Sequence, residues 1–211
     1  MEIHTPDHAP ETWKETVKHL AMITAGVLIA LTFEGAVAWI DHRMLVREAK
    51  ANLAEEIRGN KKELEGLFAS LARERTNFEK ADDLAQELLD KGKIGKMELD
   101  LSWNFKELKN AAVTTGQITG AFGYMKYDEV KRFADVYDLQ AEFLRLQERE
   151  ISNFQAIYGY IPRLTAPKPP PAASIEEWRG RVSSLIAALA FQEQFARALI
   201  RRYDELLKQS A

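Results

Sequence analysis

Apolar residues form one nearly continuous run near the start of the chain and recur with a helical period over the rest. Within residues 20–40 the single ionisable residue is Glu34. A run of this length matches the hydrocarbon core of a bilayer when it is helical. It predicts a transmembrane helix over residues 18–42, preceded by a polar tail over residues 1–17. The alternative is a buried core helix of a soluble protein, but that helix would have to be covered on all sides by a domain of modest size.

A seven-residue repeat of apolar residues follows, over a stretch that carries no proline. One seam position reads Ile57, Leu64, Leu71, Phe78 and Ala85, and the other reads Leu53, Asn60, Leu67, Glu74, Ala81 and Leu88. This alternating three- and four-residue spacing predicts a long helix packed in a coiled coil or a bundle. Asn60 and Glu74 interrupt the seam, and buried polar residues at such positions can fix the register of packing. No helix breaker precedes this stretch, so we expect the membrane helix to continue into it as a stalk.

Two more long helices are predicted after it. The first covers residues 128–160, and the second covers the C-terminal part of the chain. The seam of the first reads Val130, Tyr137, Leu144, Ile151 and Tyr158, alternating with Phe133, Gln140, Gln147, Phe154 and Ile161. The seam of the second reads Trp178, Val182, Leu185, Leu189, Ala196, Leu199, Tyr203 and Leu206. A proline-rich stretch over residues 162–173 predicts a stiff, extended connector between them.

The region between the first and second long helices is shorter and richer in glycine. Residues 104–113 predict a short helix, and Gly116, Gly120 and Gly123 follow it. No Gly-Lys-Ser/Thr follows these glycines, so we interpret them as a tight corner between helices and not as a phosphate loop. Nothing in the periodicity suggests a sheet. The fold class is therefore all-α: an N-terminal transmembrane helix continues into a stalk and an antiparallel three- to four-helix bundle over residues 43–211.

Four small or acidic residues mark one face of the predicted membrane helix. Gly26, Ala30, Glu34 and Ala38 are spaced by four, so they lie near one another along the helix. Small residues on one face let a second helix approach closely in lipid. A charged carboxyl near mid-bilayer costs roughly 2.5–3.5 kcal/mol on insertion scales, and the segment contains no lysine or arginine to pair with it. These four residues are the predicted oligomer interface, where Glu34 side chains of several copies meet.

A second interpretation of Glu34 remains open. The carboxyl group lies about 9 Å from Ile40 along a helix that rises 1.5 Å per residue, so the side chain can instead reach towards the headgroups. The orientation of the helix follows from the flanking charges. Arginine and lysine are more frequent after the segment than before it, which predicts that residues 43–211 face the cytoplasm.

Composition and charge exclude several kinds of chemistry. The chain has 29 Lys+Arg against 32 Asp+Glu and a net charge of −3, so it lacks the basic balance of a nucleic-acid binder. It has no cysteine, which excludes disulfides, thiol catalysis and cysteine-ligated metals. All four histidines precede residue 43, so the bundle has no imidazole for acid–base work or for an iron site. We predict no enzymatic activity, no catalytic residue, no cofactor and no metal site.

Several motifs resemble those of a broad group of uncharacterised bacterial single-span membrane proteins. The run "GVLIAL" lies near the start of the membrane helix, followed by Trp39 and the charged stretch "REAKANLAEEIRGNKKEL". The later blocks "SW", "TTGQITGAFGYM" and "VYDLQ" are also similar. The resemblance implies an N-terminal anchor with a helical soluble domain in the bacterial inner membrane. It implies no activity and no site residue.

Together these patterns predict a membrane-anchored, non-enzymatic scaffold or assembly protein whose partners are the lipid bilayer and further copies of itself. One alternative is a homo-oligomeric pore or proton-responsive channel with Glu34 in its lumen. Another is a sensor of a small ligand bound between the helices. Tyr137, Gln140, Gln147 and Tyr158 are the seam residues that would line such a pocket, unless they satisfy one another within the core. An enzyme that uses carboxylates of the bundle is a further alternative, but no pair stands out.

Overall fold

The computed structural model describes residues 13–93 and 100–209, and over these ranges it is helical and contains no β-strand. Its elements are α1 (Trp13–Lys91), α2 (Ala111–Ile118), a 3₁₀ turn (Ala121–Tyr124), α3 (Tyr127–Leu164) and α4 (Ala172–Gln209). The all-α prediction is confirmed. Most of the predicted tail over residues 1–17 lies outside the described residues, and Trp13 is already helical.

Helix α1 contributes to two compact units, Met1–Glu48 and Ala49–Ala211. In the first unit, α1 contains the one described stretch that is long and apolar enough to cross a membrane, and no residue of that stretch is buried. The predicted bundle began at residue 43, a few residues before this division. In the second unit, α1 packs with α3, α4 and the connecting segments around a shared apolar core.

The heptad pattern of α1 is confirmed at every predicted position. The eleven seam residues, from Leu53 to Leu88, are all buried, including the two polar ones, Asn60 and Glu74. The predicted seam of α4 is buried as well. Each helix therefore presents one continuous stripe to the core, which is how amphipathic helices stabilise a bundle.

Helix α4 runs antiparallel to both α1 and α3. As the residue number increases along α1 or α3, the number of the α4 residue in contact decreases. The contacts are Lys61–Asp204, Asp82–Arg179, Gln140–Tyr203 and Ile157–Trp178. The predicted antiparallel packing is therefore found for these two helix pairs.

Helices α1 and α3 run parallel to each other. The Lys50 ammonium lies 2.8 Å from the Glu129 carboxylate, and further along both helices the rings of Phe78 and Phe154 meet edge to face at 6.3 Å. A parallel pair requires that the chain first travel back along the bundle. Residues 100–110 make this return as an extended segment, which we call the strap. The prediction of a short helix over residues 104–113 is wrong, because α2 begins only at Ala111.

The connector between α3 and α4 is shorter than predicted. Helix α3 continues through Pro162 to Leu164, and α4 begins at Ala172, so the connector covers residues 165–171 and not 162–173. A proline in the last turn removes one backbone hydrogen-bond donor, and α3 tolerates it because the helix ends two residues later. The corner prediction for the glycines is supported at Gly120, which adopts a left-handed φ of 72° between α2 and the 3₁₀ turn.

The predicted seam of α3 is only partly buried. Of one predicted row, Tyr137 is buried, whereas Val130, Leu144 and Ile151 are half-buried and Tyr158 is exposed. The other predicted row is buried at Phe133, Gln140 and Gln147 and half-buried at Phe154 and Ile161. The core also takes residues outside both predicted rows: Val136, Phe143, Leu146, Ile157 and Leu164. Helix α3 thus carries more apolar surface than the bundle covers.

Candidate functional site

The four predicted interface residues lie on one face of α1. Gly26, Ala30 and Glu34 are exposed and Ala38 is half-buried, at spacings that align them along the helix. A methyl group built on Gly26 would meet no atom within 4 Å, so this face is open to an approaching helix. The geometry therefore leaves the predicted interface available for contact.

Other side chains along this part of α1 form contacts within the helix. The Thr32 hydroxyl donates a hydrogen bond of 2.7 Å to the Leu28 carbonyl oxygen, which satisfies that hydroxyl within its own helix. Towards the polar end, the Arg43 guanidinium lies 4.8 Å from the ring centroid of Trp39. A tryptophan beside a cation suits the headgroup region, where the ring is amphipathic and the charge stays hydrated.

In the bundle, the polar residues of the seam bind the backbone of the strap. Leu101 and Leu108 anchor the strap in the core. The strap forms neither a helix nor a strand, so its peptide groups lack the hydrogen bonds of regular secondary structure. Where the N–H and carbonyl groups of such a segment face the core, they need hydrogen-bond partners. Asparagine, glutamine and glutamate side chains of α1 and α3 supply them, and we call these side chains the clamp.

The centre of the clamp is Asn60. Its side-chain Nδ2 donates to the Lys109 carbonyl oxygen at 2.8 Å, and its side-chain Oδ1 accepts from the Lys109 N–H at 2.8 Å. Asn60 therefore binds both the backbone N–H and the carbonyl group of one strap residue. Gln140 donates to the same carbonyl oxygen at 2.9 Å. The side-chain oxygen of Gln140, Oε1, accepts from the Asn60 side-chain amide at 3.0 Å and from the Tyr203 hydroxyl at 2.6 Å. One network therefore joins α1, α3, α4 and the strap.

The same arrangement recurs further along the strap. Gln147 donates to the Lys106 carbonyl oxygen and accepts from the Lys106 N–H, each at 3.1 Å, and Gln192 donates to Gln147 at 3.3 Å. Glu74 accepts the backbone N–H and the side-chain amide of Asn104 at 3.1 and 2.6 Å. Each polar interruption of the predicted seams is thus matched to a strap residue.

The last member of the clamp is Glu56, at the end of the strap. Its carboxylate accepts the Ala112 N–H at 2.9 Å and the Tyr137 hydroxyl at 2.6 Å. Burial, followed by this hydrogen bond, raises the pKa of the Tyr137 hydroxyl far above its usual value. Tyr137 therefore remains a neutral donor at any physiological pH. The heptad pattern did not single out Glu56, because it lies beside the seam.

These contacts separate the four residues proposed to line a ligand pocket. Tyr137, Gln140 and Gln147 are bound to the chain itself, and Tyr158 lies apart from them, 57% exposed, with its ring stacked on Phe154. The structure does not bring the four together. It gives three of them the other role considered for them, that of satisfied core residues.

A groove of about 300 Å³ lies between α2 and α3. Val113, Phe122, Ala134, Ala141 and Leu144 are among its lining residues. Phe122 packs directly on Gly116, where an added methyl group would lie 2.7 Å from the ring. The glycine-rich corner therefore places an aromatic wall beside α3.

Glu74 makes the stability of the bundle depend on pH. The residue is 2% exposed, and burial raises the pKa of its carboxyl above the usual 4.5, although the Asn104 hydrogen bonds oppose the shift. A raised pKa in the folded state means that stability is lost as the pH rises from 4.5 through the raised value. Glu74→Gln keeps an acceptor for Asn104 without the charge. We expect the variant to be more stable than the wild type at pH 8, with no such advantage at pH 4, in denaturation experiments. A difference that is constant with pH would contradict this.

A comparison with models of known protein families found no match, and comparisons with curated proteins and with solved structures found no significant match.

Proposed function

We propose that the protein is a membrane-anchored, non-enzymatic assembly protein that forms homo-oligomers in the bacterial inner membrane. The observation that carries the proposal is the apolar stretch of α1, which has membrane-spanning length and no buried residue. Exposure of such an apolar surface to water is strongly unfavourable, whereas the hydrocarbon core of a bilayer is an apolar solvent of matching thickness.

The stripe on α1 supports the oligomeric part of the proposal. Gly26, Ala30 and Ala38 allow two helix backbones to approach, and dispersion contacts between close helices stabilise association in lipid. Glu34 lies on the same face. In a single helix its carboxyl has no cationic partner within the apolar run, whereas in an oligomer the carboxyl groups of several copies exchange hydrogen bonds.

The clamp supports a structural role for the bundle. Five buried polar residues of the core, Asn60, Glu74, Gln140, Gln147 and Gln192, bond to the strap or to one another. A fully satisfied network of this kind makes a core rigid and specific. Polar groups committed to the chain's own backbone are poorly placed to bind a ligand, which favours a scaffold over a sensor.

The bundle is proposed to face the cytoplasm, since lysine and arginine are in excess after the membrane helix. Protease added to sealed inverted vesicles should then digest it. Digestion confined to right-side-out spheroplasts would reverse the orientation and leave the remainder of the proposal unchanged.

Three substitutions test the α1 stripe against the alternative in which Glu34 reaches the headgroups. Glu34→Gln keeps a hydrogen-bonding group and should leave assembly largely intact. Ala30→Leu should weaken assembly, because a bulky side chain separates the helices. Glu34→Leu should insert readily but lose ~0.6–2 kcal/mol of hydrogen bonding per contact.

Crosslinking of these variants beside the wild type, in one membrane preparation, measures the effect. Leu28→Ala, at an exposed position of α1 that has none of the three-, four- or seven-residue spacings to the stripe, is the matched control and should assemble like the wild type. Equal oligomer content in all the proteins would reject the stripe as an interface.

A further inference from the structure

Helix α3 carries a second apolar row that the core covers only in part. We call it the outer stripe: Val130, Ala134, Ala141, Leu144, Ile151 and Tyr158. Its members are half-buried or exposed, and they recur at the three-, four- and seven-residue spacings that place side chains on one helix face. An apolar row of this length on a surface is typical of a protein–protein contact.

The outer stripe is recessed along its first half. It forms the floor of the groove between α2 and α3, where Phe122 forms a wall that Gly116 allows to lie close. A groove with an apolar floor and a fixed aromatic wall suits an apolar helix face, since its shape is already formed before binding.

We propose that the outer stripe is the contact between the bundles of two copies of this chain, with their α3 helices antiparallel about a two-fold axis. The inference rests on the proposed homo-oligomer and names its second interface. The sizes of the side chains favour this pairing. With Ala141 of one copy opposite Leu144 of the other, the same register places Ala134 opposite Ile151. Large side chains then meet small ones, and a two-fold axis repeats each contact.

The charged residues at the edge of the outer stripe are also complementary between two copies. Asp138 and Arg145 are seven residues apart, so they lie on the same edge of the outer stripe. In an antiparallel pair these edges face each other. In the same register Asp138 of each copy lies two residues, about 3 Å along the helix axis, from the position opposite Arg145 of the other copy, which the long arginine side chain can span. Within the described residues Asp138 forms no ion pair, and Arg145 bonds only to the exposed Glu142. An exposed pair of this kind contributes little and is readily exchanged.

The test uses the full chain in nanodiscs and exploits the absence of native cysteine. Ala141→Cys reports on the outer stripe with a short bismaleimide crosslinker, and Ala187→Cys, on an exposed part of α4, is the matched control. We expect crosslinked dimers from Ala141→Cys only. Ala30→Cys in the membrane helix is crosslinked in parallel, as a separate measure of the proposed function.

Charge reversals then test the register. In the Ala141→Cys background, Asp138→Arg and Arg145→Asp should each lower the crosslinked fraction, roughly tenfold, because two like-charge contacts replace two attractive ones. The double reversal should restore it. The inference is overturned if Ala141→Cys crosslinks no more than Ala187→Cys, or if the double reversal is as poor as the single ones. Crosslinking at Ala30→Cys in either event leaves the proposed function intact.

Discussion

Replacing Phe78 with alanine should lower the free energy of unfolding by roughly 3–5 kcal/mol. Phe78 is 0% exposed in the α1 seam, and its ring meets Phe154 of α3 edge to face. The substitution removes a large apolar side chain and leaves a cavity between helices that the surrounding side chains fill only in part. Chemical denaturation of the full chain in detergent micelles, followed by circular dichroism, measures the loss.

The matched control for this prediction is Phe191→Ala on α4. Phe191 is 53% exposed, so its removal should change the free energy of unfolding by less than about 1 kcal/mol. If the two variants lose equal stability, Phe78 does not lie in the core that α1 and α3 share.

Gln140→Leu should destabilise the bundle by roughly 2–4 kcal/mol, although it places an apolar residue in the core. The substitution leaves the Tyr203 hydroxyl and one Asn60 amide hydrogen buried without the acceptor that both now share. Gln155→Leu is the matched control, because Gln155 is an exposed glutamine of the same helix. Denaturation of the two variants under the same conditions gives the comparison.

A second substitution separates hydrogen bonding from packing in this prediction. Tyr203→Phe removes the hydroxyl that Gln140→Leu leaves without a partner, so it should cost less in the Gln140→Leu background than in the wild type. Strictly additive losses would show that the buried hydrogen bond between these two residues contributes nothing.

The seams of α1 and α4 could be predicted because a heptad repeat is a direct record of burial. Packing of two helices places every third and fourth residue in contact, so the sequence must keep those positions apolar. Even the polar interruptions were informative. Asn60 and Glu74 were expected to fix the register of packing, and the contacts with Lys109 and Asn104 show what they bind.

The strap could not be predicted, because its conformation is set by distant residues. Residues 104–113 have good helix-forming composition, and local propensity favoured a helix there. Gln147 on α3 and Asn60 on α1 instead bind the strap backbone as an extended chain. The parallel pairing of α1 and α3 follows from that return path, so it was equally hidden from a helix-by-helix interpretation.

Helix α3 shows a different limit of sequence patterns. Its apolar residues form two adjacent rows, and periodicity alone does not tell which row faces the core and which faces outward. Val130, Leu144 and Ile151 were expected in the seam and lie at its edge. The candidate interface on α1 rests on spacing alone, since a single chain contains one half of any contact between copies.

The mass of the protein particle in nanodiscs shows whether the chain assembles in a bilayer. Light scattering or native mass spectrometry of the full chain, with lipid subtracted, gives the number of copies held together in a bilayer. We expect a defined oligomer of the 24.0 kDa chain that persists on dilution and shifts towards monomer when Ala30 is replaced by leucine. A particle that contains one copy at every concentration would contradict it.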